Sequence, residues 1–426
     1  MNKKIAIGLA TLGIVLVVSG VFTGKKINLD YEELGVISED KLAVTNGKKF
    51  GYYDLKSNSV NLSYDFPQDT DIVPLKYKDG HAPYIKNKKY GLIDSKGNVS
   101  LAASFDKLEI LNSDLVITLK NKKYSITEID SDKEIVANID NVTILGESNY
   151  LILEKENKSV IYDFVKKEES IDALDKTRII NNANDEYALS LTKKETTKNY
   201  YLNSKDNKLI ELTETENATP MEINDGLVTF IDTDKKFFTY ELTTSKIRRF
   251  TGDYSYLSPT KNDLILVANS EGAYGYINDN EEVIIPYEYQ EGTTNFGNDG
   301  YAIVRKNDKY GTISKTGEVV IPIKYTDLEV LDENYLTIID QKKRSIIDKT
   351  GKSLSKEYSG IANNNNNDLL IVMTKDKKYG IIDRKGKVIV EAKYEYISSS
   401  DKYFIFKVAD RNYQIKTKEE IIDKKN

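Results

Sequence analysis

The chain has 426 residues, with 61 Lys and Arg against 67 Asp and Glu, a formal net charge of −6, one His, no Cys and no Trp. Without Cys there are no disulfides and no thiolate metal sites, and any Ser-His-Asp chemistry would depend on His81 alone. An acidic chain with interspersed charges lacks the net basic face that a nucleic-acid binder needs, and no GxGxxG or GxxxxGK[ST] motif signals a nucleotide cofactor.

The first element is an uncharged apolar run over 5–23, IAIGLATLGIVLVVSGVFT, preceded by Lys3 and Lys4 and followed by Lys25 and Lys26. As a helix it spans roughly 28 Å, close to the hydrocarbon thickness of a bilayer. The length of the run, its weak small-x-small end and the lysine pair behind it favour an uncleaved transmembrane signal-anchor over a cleaved secretory signal. The positive excess lies on the N-terminal side. The expected order is a cytoplasmic tail at 1–4, the anchor at 5–23, a linker at 24–30 and an extracytoplasmic body at 31–426.

That body is repetitive. AYGYINDNEEVIIPYEY from Ala273, KYGTISKTGEVVIPIKY from Lys309, KRSIIDKTGKSLSKEY from Lys343 and KYGIIDRKGKVIVEAKY from Lys378 align. KYGLIDSKGNVSLAASF from Lys89 joins them, and KFGYYDLKSNSVNLSY from Lys49 does so more loosely. Anchor positions continue through degenerate copies: Phe50, Tyr90, Tyr124, Ser159, Tyr200, Phe237, Tyr274, Tyr310, Arg344, Tyr379 and Tyr413, spaced about 36 residues apart on average. A period that survives loss of the letters is structural.

Each copy reads as an alternating strand (301–305, 369–373), a polar turn, and a second strand with an aromatic-Gly step. An Asp-x-x-Gly hairpin and a β-branched third strand (319–321, 388–390) follow, and a short fourth strand such as 326–331 leads on. Asp suits the first position of a type I turn, and Gly accepts the left-handed residue of the bulge behind it. Four strands of about five residues and four short links fill the period and leave no room for long helices; 166–175, the one stretch that tempts a helix reading, is short and uncapped. The expected fold is all-β: tandem units of three to four short antiparallel strands, propeller-like. One ring of ten or eleven blades is larger than usual, so two sub-arrays splitting near 255 or an open β-superhelix are alternatives.

The pattern K-[WY]-G-Φ-I-D-x-x-G-x-x-V-I-x-P-x-Y resembles the WG, or KWG, β-repeat family of bacterial proteins, with Tyr or Phe standing where the family has Trp. The resemblance implies an all-β repeat protein, often exported, with no activity assigned to the repeat itself, and a binding or spacer role.

No catalytic, cofactor or metal residue is proposed. The positions singled out are structural: the steps Phe50-Gly51, Tyr90-Gly91, Tyr274-Gly275, Tyr310-Gly311 and Tyr379-Gly380, and the turns Asp94 to Gly97, Asp348 to Gly351 and Asp383 to Gly386. The aromatic step could stack a ligand, but its recurrence in every copy favours a core contact, a ring packing over a strand glycine that admits close backbone approach. The turns supply one carboxylate each, and the denser clusters Asp69-Thr-Asp71, Asp232-Thr-Asp234 and 278–282 do not complete a calcium loop. His81 reads as a surface-turn residue, and Asn363 to Asn367 as a polar loop. Drift accounts for the degenerate middle copies better than a partner surface does.

These features point to a non-catalytic, membrane-anchored extracytoplasmic scaffold that binds protein or a cell-envelope polymer and not nucleic acid. The alternatives are a glycan-binding or polysaccharide-active propeller and a passive surface spacer.

Overall fold

The computed structural model describes residues 27–60, 63–65, 75–182, 184–258, 260–261, 264–332, 334–363, 368–400 and 402–422. The apolar run 5–23, the tail before it and residues 24–26 of the expected linker lie outside the described residues, while 27–30 of that linker form a strand. Among the described residues no helix is long and apolar enough to cross a membrane.

The described chain is all-β. It forms eleven antiparallel sheets of three to five strands, each a propeller-blade-like unit, and its one helix is the short Lys418–Ile422. In chain order the sheets span 33–65, 81–105, 107–139, 141–174, 176–211, 219–249, 256–289, 301–325, 327–348, 360–394 and 396–417, and are numbered 1 to 11 below. Sheet 11 takes a fourth strand from the other end of the chain: Ile27–Asp30 pairs antiparallel with Asn412–Thr417 in the register Leu29↔Tyr413. The segment that tempted a helix reading forms the strand Glu168–Leu174.

Each of the eleven anchor residues falls in a different sheet, in the strand that follows a tight hairpin tip. The period is thus one sheet per repeat even where the letters are lost. A copy as read from the sequence straddles two sheets, because the strand Asp327–Val330, taken as the close of one copy, pairs with Tyr335–Asp340 and opens sheet 9.

The strands before the tips were expected to alternate. Instead they are buried at consecutive positions, as in Leu115–Lys120 (four buried in succession) and Leu369–Met373. The cause is packing on both faces, which removes the polar side of a strand. Core clusters lie between consecutive sheets: Leu92, Leu101 and Phe105 of sheet 2 meet Ile110, Val116 and Ile129 of sheet 3. Tyr201 of sheet 5 and Leu212 just beyond it meet Val228, Phe230 and Phe238 of sheet 6. Each repeat therefore buries its apolar surface against its neighbours rather than in one central core.

By contacts the chain divides into two compact units, 1–137 with 342–346 and 353–426, and 138–341 with 347–352. The first holds sheets 1, 2, 10 and 11 and nearly all of sheet 3. The second holds sheets 4 to 8.

Candidate functional site

The repeated polar and glycine positions carry the chemistry of this chain, so they are taken in turn. The aromatic-Gly step comes first. In sheets 2, 7, 8 and 10 the aromatic pairs with a second aromatic fifteen residues on: Tyr90↔Phe105, Tyr274↔Tyr289, Tyr310↔Tyr325 and Tyr379↔Tyr394. Two residues later the pairing has slipped, to Leu92↔Leu101, Tyr276↔Ile285, Thr312↔Ile321 and Ile381↔Val390. The partner strand therefore carries two extra residues opposite the glycine, a bulge in the same place four times.

The bulge explains the glycine. A Cβ on Gly91 would sit 2.5 Å from the Leu101 carbonyl oxygen; on Gly275, 2.7 Å from that of Ile285; on Gly311, 2.5 Å from that of Ile321; on Gly380, 2.7 Å from that of Val390. Where sheets 5 and 6 have Tyr201 and Phe238 instead, the pairing is regular: Tyr200↔Glu211 is followed by Tyr201↔Ile210, and Phe238↔Arg249 by Thr239↔Arg248. Every one of these four glycines faces a bulge, although sheet 4 shifts register at the same place with Val160 there, Ser159↔Leu174 being followed by Ile161↔Ile171. The aromatic rings themselves are only half-buried at Tyr90, Tyr274, Tyr310 and Tyr379, whereas Phe50 is fully buried and pairs with Tyr64.

The Asp-x-x-Gly turns share one geometry. The Asp94 carboxylate accepts the backbone N–H groups of Lys96 and Asn98, each at 2.8 Å, and Gly97 N–H donates to the Asp94 carbonyl at 3.0 Å with Gly97 at φ +87°. Asp348 receives Thr350 and Lys352, and Asp383 receives Lys385 and Lys387; Gly351 and Gly386 are left-handed at φ +84° and +80°. These donors hold the Asp94 and Asp348 carboxyls below the usual carboxylate range, with the Asn98 amide and the Thr350 hydroxyl contributing most. Asp232 accepts Asp234 and Lys236 in the same way.

The cluster 278–282 is likewise engaged within the fold. Asn278 caps its own turn, Asp279 meets Arg248 at 2.6 Å, and Glu281 accepts the N–H groups of Thr251 and Gly252 and the Tyr254 hydroxyl. Among the described residues no three His, Asp or Glu side chains group to hold a metal. Asp69 and Asp71 lie outside the described residues, as do 364–367 of the Asn run. His81 opens the strand His81–Lys86, half-buried, with its backbone paired to Lys78 and Nδ1 3.3 Å from the Asp79 carbonyl oxygen.

A recurring carboxylate at the junction between repeats escaped the sequence reading. Asp65 meets Lys49 at 2.5 Å and accepts Asn87 N–H at 2.8 Å. Asp106 pairs with Lys89 and accepts Asn121 N–H at 3.2 Å. Asp175 pairs with Lys158 and accepts Lys194 N–H at 2.8 Å. In each case one oxygen takes the lysine that precedes the anchor residue of one sheet, and the other takes the hairpin tip of the next. These contacts hold all three carboxyls below the usual range, the lysine being the largest cause. Where Ala273 replaces the lysine, Gln290 replaces the acid and still accepts Asp308 N–H at 2.8 Å. The signal was present as a Lys followed sixteen or seventeen residues later by Asp. It went unread because the acid falls outside the Asp-x-x-Gly motif.

Two further carboxylates clasp neighbouring sheets. Asp40 accepts Lys402 at 2.6 Å, Lys56 at 2.9 Å and the Tyr403 hydroxyl at 2.8 Å, which ties sheet 11 to sheet 1 and holds the Asp40 carboxyl far below its ordinary range. Glu222 of sheet 6 accepts the Tyr256 and Ser258 hydroxyls of sheet 7, each at 2.7 Å.

The WG containing repeat family matches the chain at residues 90–124, 274–310, 310–339 and 379–410. No curated protein sequence matches the chain. Among solved structures, the chain is similar to a eukaryotic initiation factor, with a TM-score of 0.40 and 11% identity over 79% of this chain and 98% of that one. It is also similar to BamB from Moraxella catarrhalis, with a TM-score of 0.29 and 11% identity over 65% and 95%. A third likeness is to PorZ, a surface component of the type-IX secretion system of Porphyromonas gingivalis, with a TM-score of 0.28 and 8% identity over 91% and 68%. Nothing about the function of this chain follows from likenesses at those scores.

Proposed function

Because this chain is a WG-repeat protein, we propose that it acts as a non-catalytic scaffold, anchored in a bacterial cell membrane by 5–23 with its body outside, that binds a protein or a cell-envelope polymer. The observation that carries this reading is what the repeated residues do. The turn aspartates bind their own backbone, the junction aspartates fasten one repeat to the next, and the glycines accommodate a bulge. Side chains so engaged build a surface rather than a reaction centre. A stack of such units presents extended faces suited to binding. The apolar run with lysines at its N-terminal side supports placement of the body outside the cytoplasmic membrane.

The test is crosslinking of intact host cells expressing the tagged full-length chain, with Met1 to Lys26 fused to an unrelated exported β-domain as control. Enrichment of a specific protein or polymer over the control is the expected result. Equal recovery from both would contradict a binding scaffold and favour a passive spacer. Turnover of a polysaccharide by the purified chain would contradict the non-catalytic reading.

A further inference from the structure

Three consecutive hairpin tips, in sheets 1, 2 and 3, read Asn46-Gly47-Lys48-Lys49, Lys86-Asn87-Lys88-Lys89 and Lys120-Asn121-Lys122-Lys123; the last two are the same tetrapeptide. Their shape is fixed. Asn87 and Lys88 have φ of 52° and 63°, and Asn121 and Lys122 have 52° and 64°, the doubly left-handed geometry of a tight two-residue hairpin. The second and third tips are each fastened to the one before. Asp65 bridges Lys49 to Asn87 N–H, and Asp106 bridges Lys89 to Asn121 N–H. Lys86, Lys88, Lys120 and Lys122 project into solvent.

Lys123 aside, which has a partner of its own, seven lysines of these tips share one edge with two carboxylates, Asp65 and Asp106, an excess of five positive charges on a chain whose net charge is −6. The equivalent tips of the other unit do not repeat this. Glu156, Glu195, Asp234, Glu271 and Asp308 place an acid in every one.

We propose that this lysine ridge, built by the tips at 46–49, 86–89 and 120–123, binds a linear phosphate-bearing polyanion; the inference rests on the envelope-polymer arm of the scaffold reading. Lysines at a repeated register give point charges that suit a string of phosphates. The three tips contain no aromatic side chain for stacking bases, and the neighbouring Tyr90 and Tyr124 are half-buried, which disfavours single-stranded nucleic acid. The tips contain no apolar side chain to enter a bilayer, which disfavours a membrane surface. Binding of this kind releases counterions and weakens steeply with salt.

The test uses the full-length chain in neutral detergent and long-chain inorganic polyphosphate as probe, with affinity measured from 50 to 200 mM salt. The variant combines Lys86→Gln, Lys88→Asn, Lys120→Gln and Lys122→Asn; Asn is chosen where φ is positive so that the turn persists. The control variant changes Lys155 and Lys309 to Gln and, at φ of 50° and 62°, Lys194 and Lys235 to Asn. The ridge variant is expected to lose at least tenfold in affinity at 50 mM salt and to flatten the logarithmic salt slope by about 3, with unchanged thermal unfolding, while the control stays within twofold of the parent. Three results would overturn the proposal: no binding by the parent chain, equal losses in both variants, or tighter binding to anionic phospholipid vesicles than to polyphosphate. A protein recovered by crosslinking while polyphosphate fails to bind would leave the scaffold standing and remove this ridge from it.

Discussion

Gly91→Ala isolates the role of the bulge. The added Cβ would meet the Leu101 carbonyl oxygen at 2.5 Å, Tyr84 Cε1 at 2.6 Å and Ala103 N at 2.7 Å. Two of those atoms belong to the backbone of the bulged strand, so rotamer changes cannot relieve the clash. Val99–Phe105 must move away from Lys89–Asp94, and the Tyr90↔Phe105 pair moves with it. Overpacking of this kind costs about 1–3 kcal/mol and occasionally more, and contact with backbone on a fully packed sheet puts the expected loss near 3 kcal/mol. Gly97→Ala is the comparison. Nothing lies within 4 Å of a Cβ there, but φ is +87°, so only the left-handed penalty of about 1–2 kcal/mol applies. Urea unfolding followed by near-ultraviolet circular dichroism, with hydrogen exchange reporting on 81–105, measures both. A loss below about 0.5 kcal/mol for Gly91→Ala, or a larger loss for Gly97→Ala, would refute the reasoning.

Other outcomes follow from the clasps. Asp40→Ala removes two lysine contacts and a tyrosine hydrogen bond to a carboxylate and is expected to cost about 2 kcal/mol, read by denaturant titration. Since Lys402, Lys56 and Tyr403 lower the Asp40 pKa, its contribution is complete above the unfolded value near 4 and is lost as pH falls through the lower folded value. Stability of the parent should therefore drop more steeply below pH 4 than that of Asp40→Asn; parallel profiles would contradict this. Asp106→Asn breaks a half-exposed pair and should cost only about 0.5–1 kcal/mol, while exchange at the Asn121 amide accelerates. Tyr52→Phe removes the buried hydroxyl donating to the Pro83 carbonyl at 2.7 Å and is expected to cost about 1 kcal/mol in thermal unfolding; a stabilised variant would show that bond to be unimportant.

How far the letters reach is visible at particular residues. The all-β class, the 36-residue period and the hairpin turns were legible because Asp94, Asp348 and Asp383 sit at fixed offsets from Gly97, Gly351 and Gly386, and turn chemistry is local. That Gly91 admits a close backbone approach was legible, but the bulge that makes the approach was not, because it lies on a strand ten residues away that folds back on it. The consecutive burial of 369–372 was not legible either, since it depends on neighbours covering both faces. Asp106 was missed because its two partners, Lys89 and Asn121, belong to different repeats and only the fold brings them to one carboxylate.

Whether the repeat array lies outside the cytoplasmic membrane decides the proposed function. The chain has no Cys, so a single Ser113→Cys at an exposed tip, and separately Asn2→Cys, can be labelled in intact cells with a membrane-impermeant maleimide without background from the protein itself. Labelling of Cys at 113 in intact cells, with Cys at 2 reacting only after permeabilisation, is the predicted result. Protection of position 113 until the cells are permeabilised would place the array inside the cell and contradict the envelope scaffold.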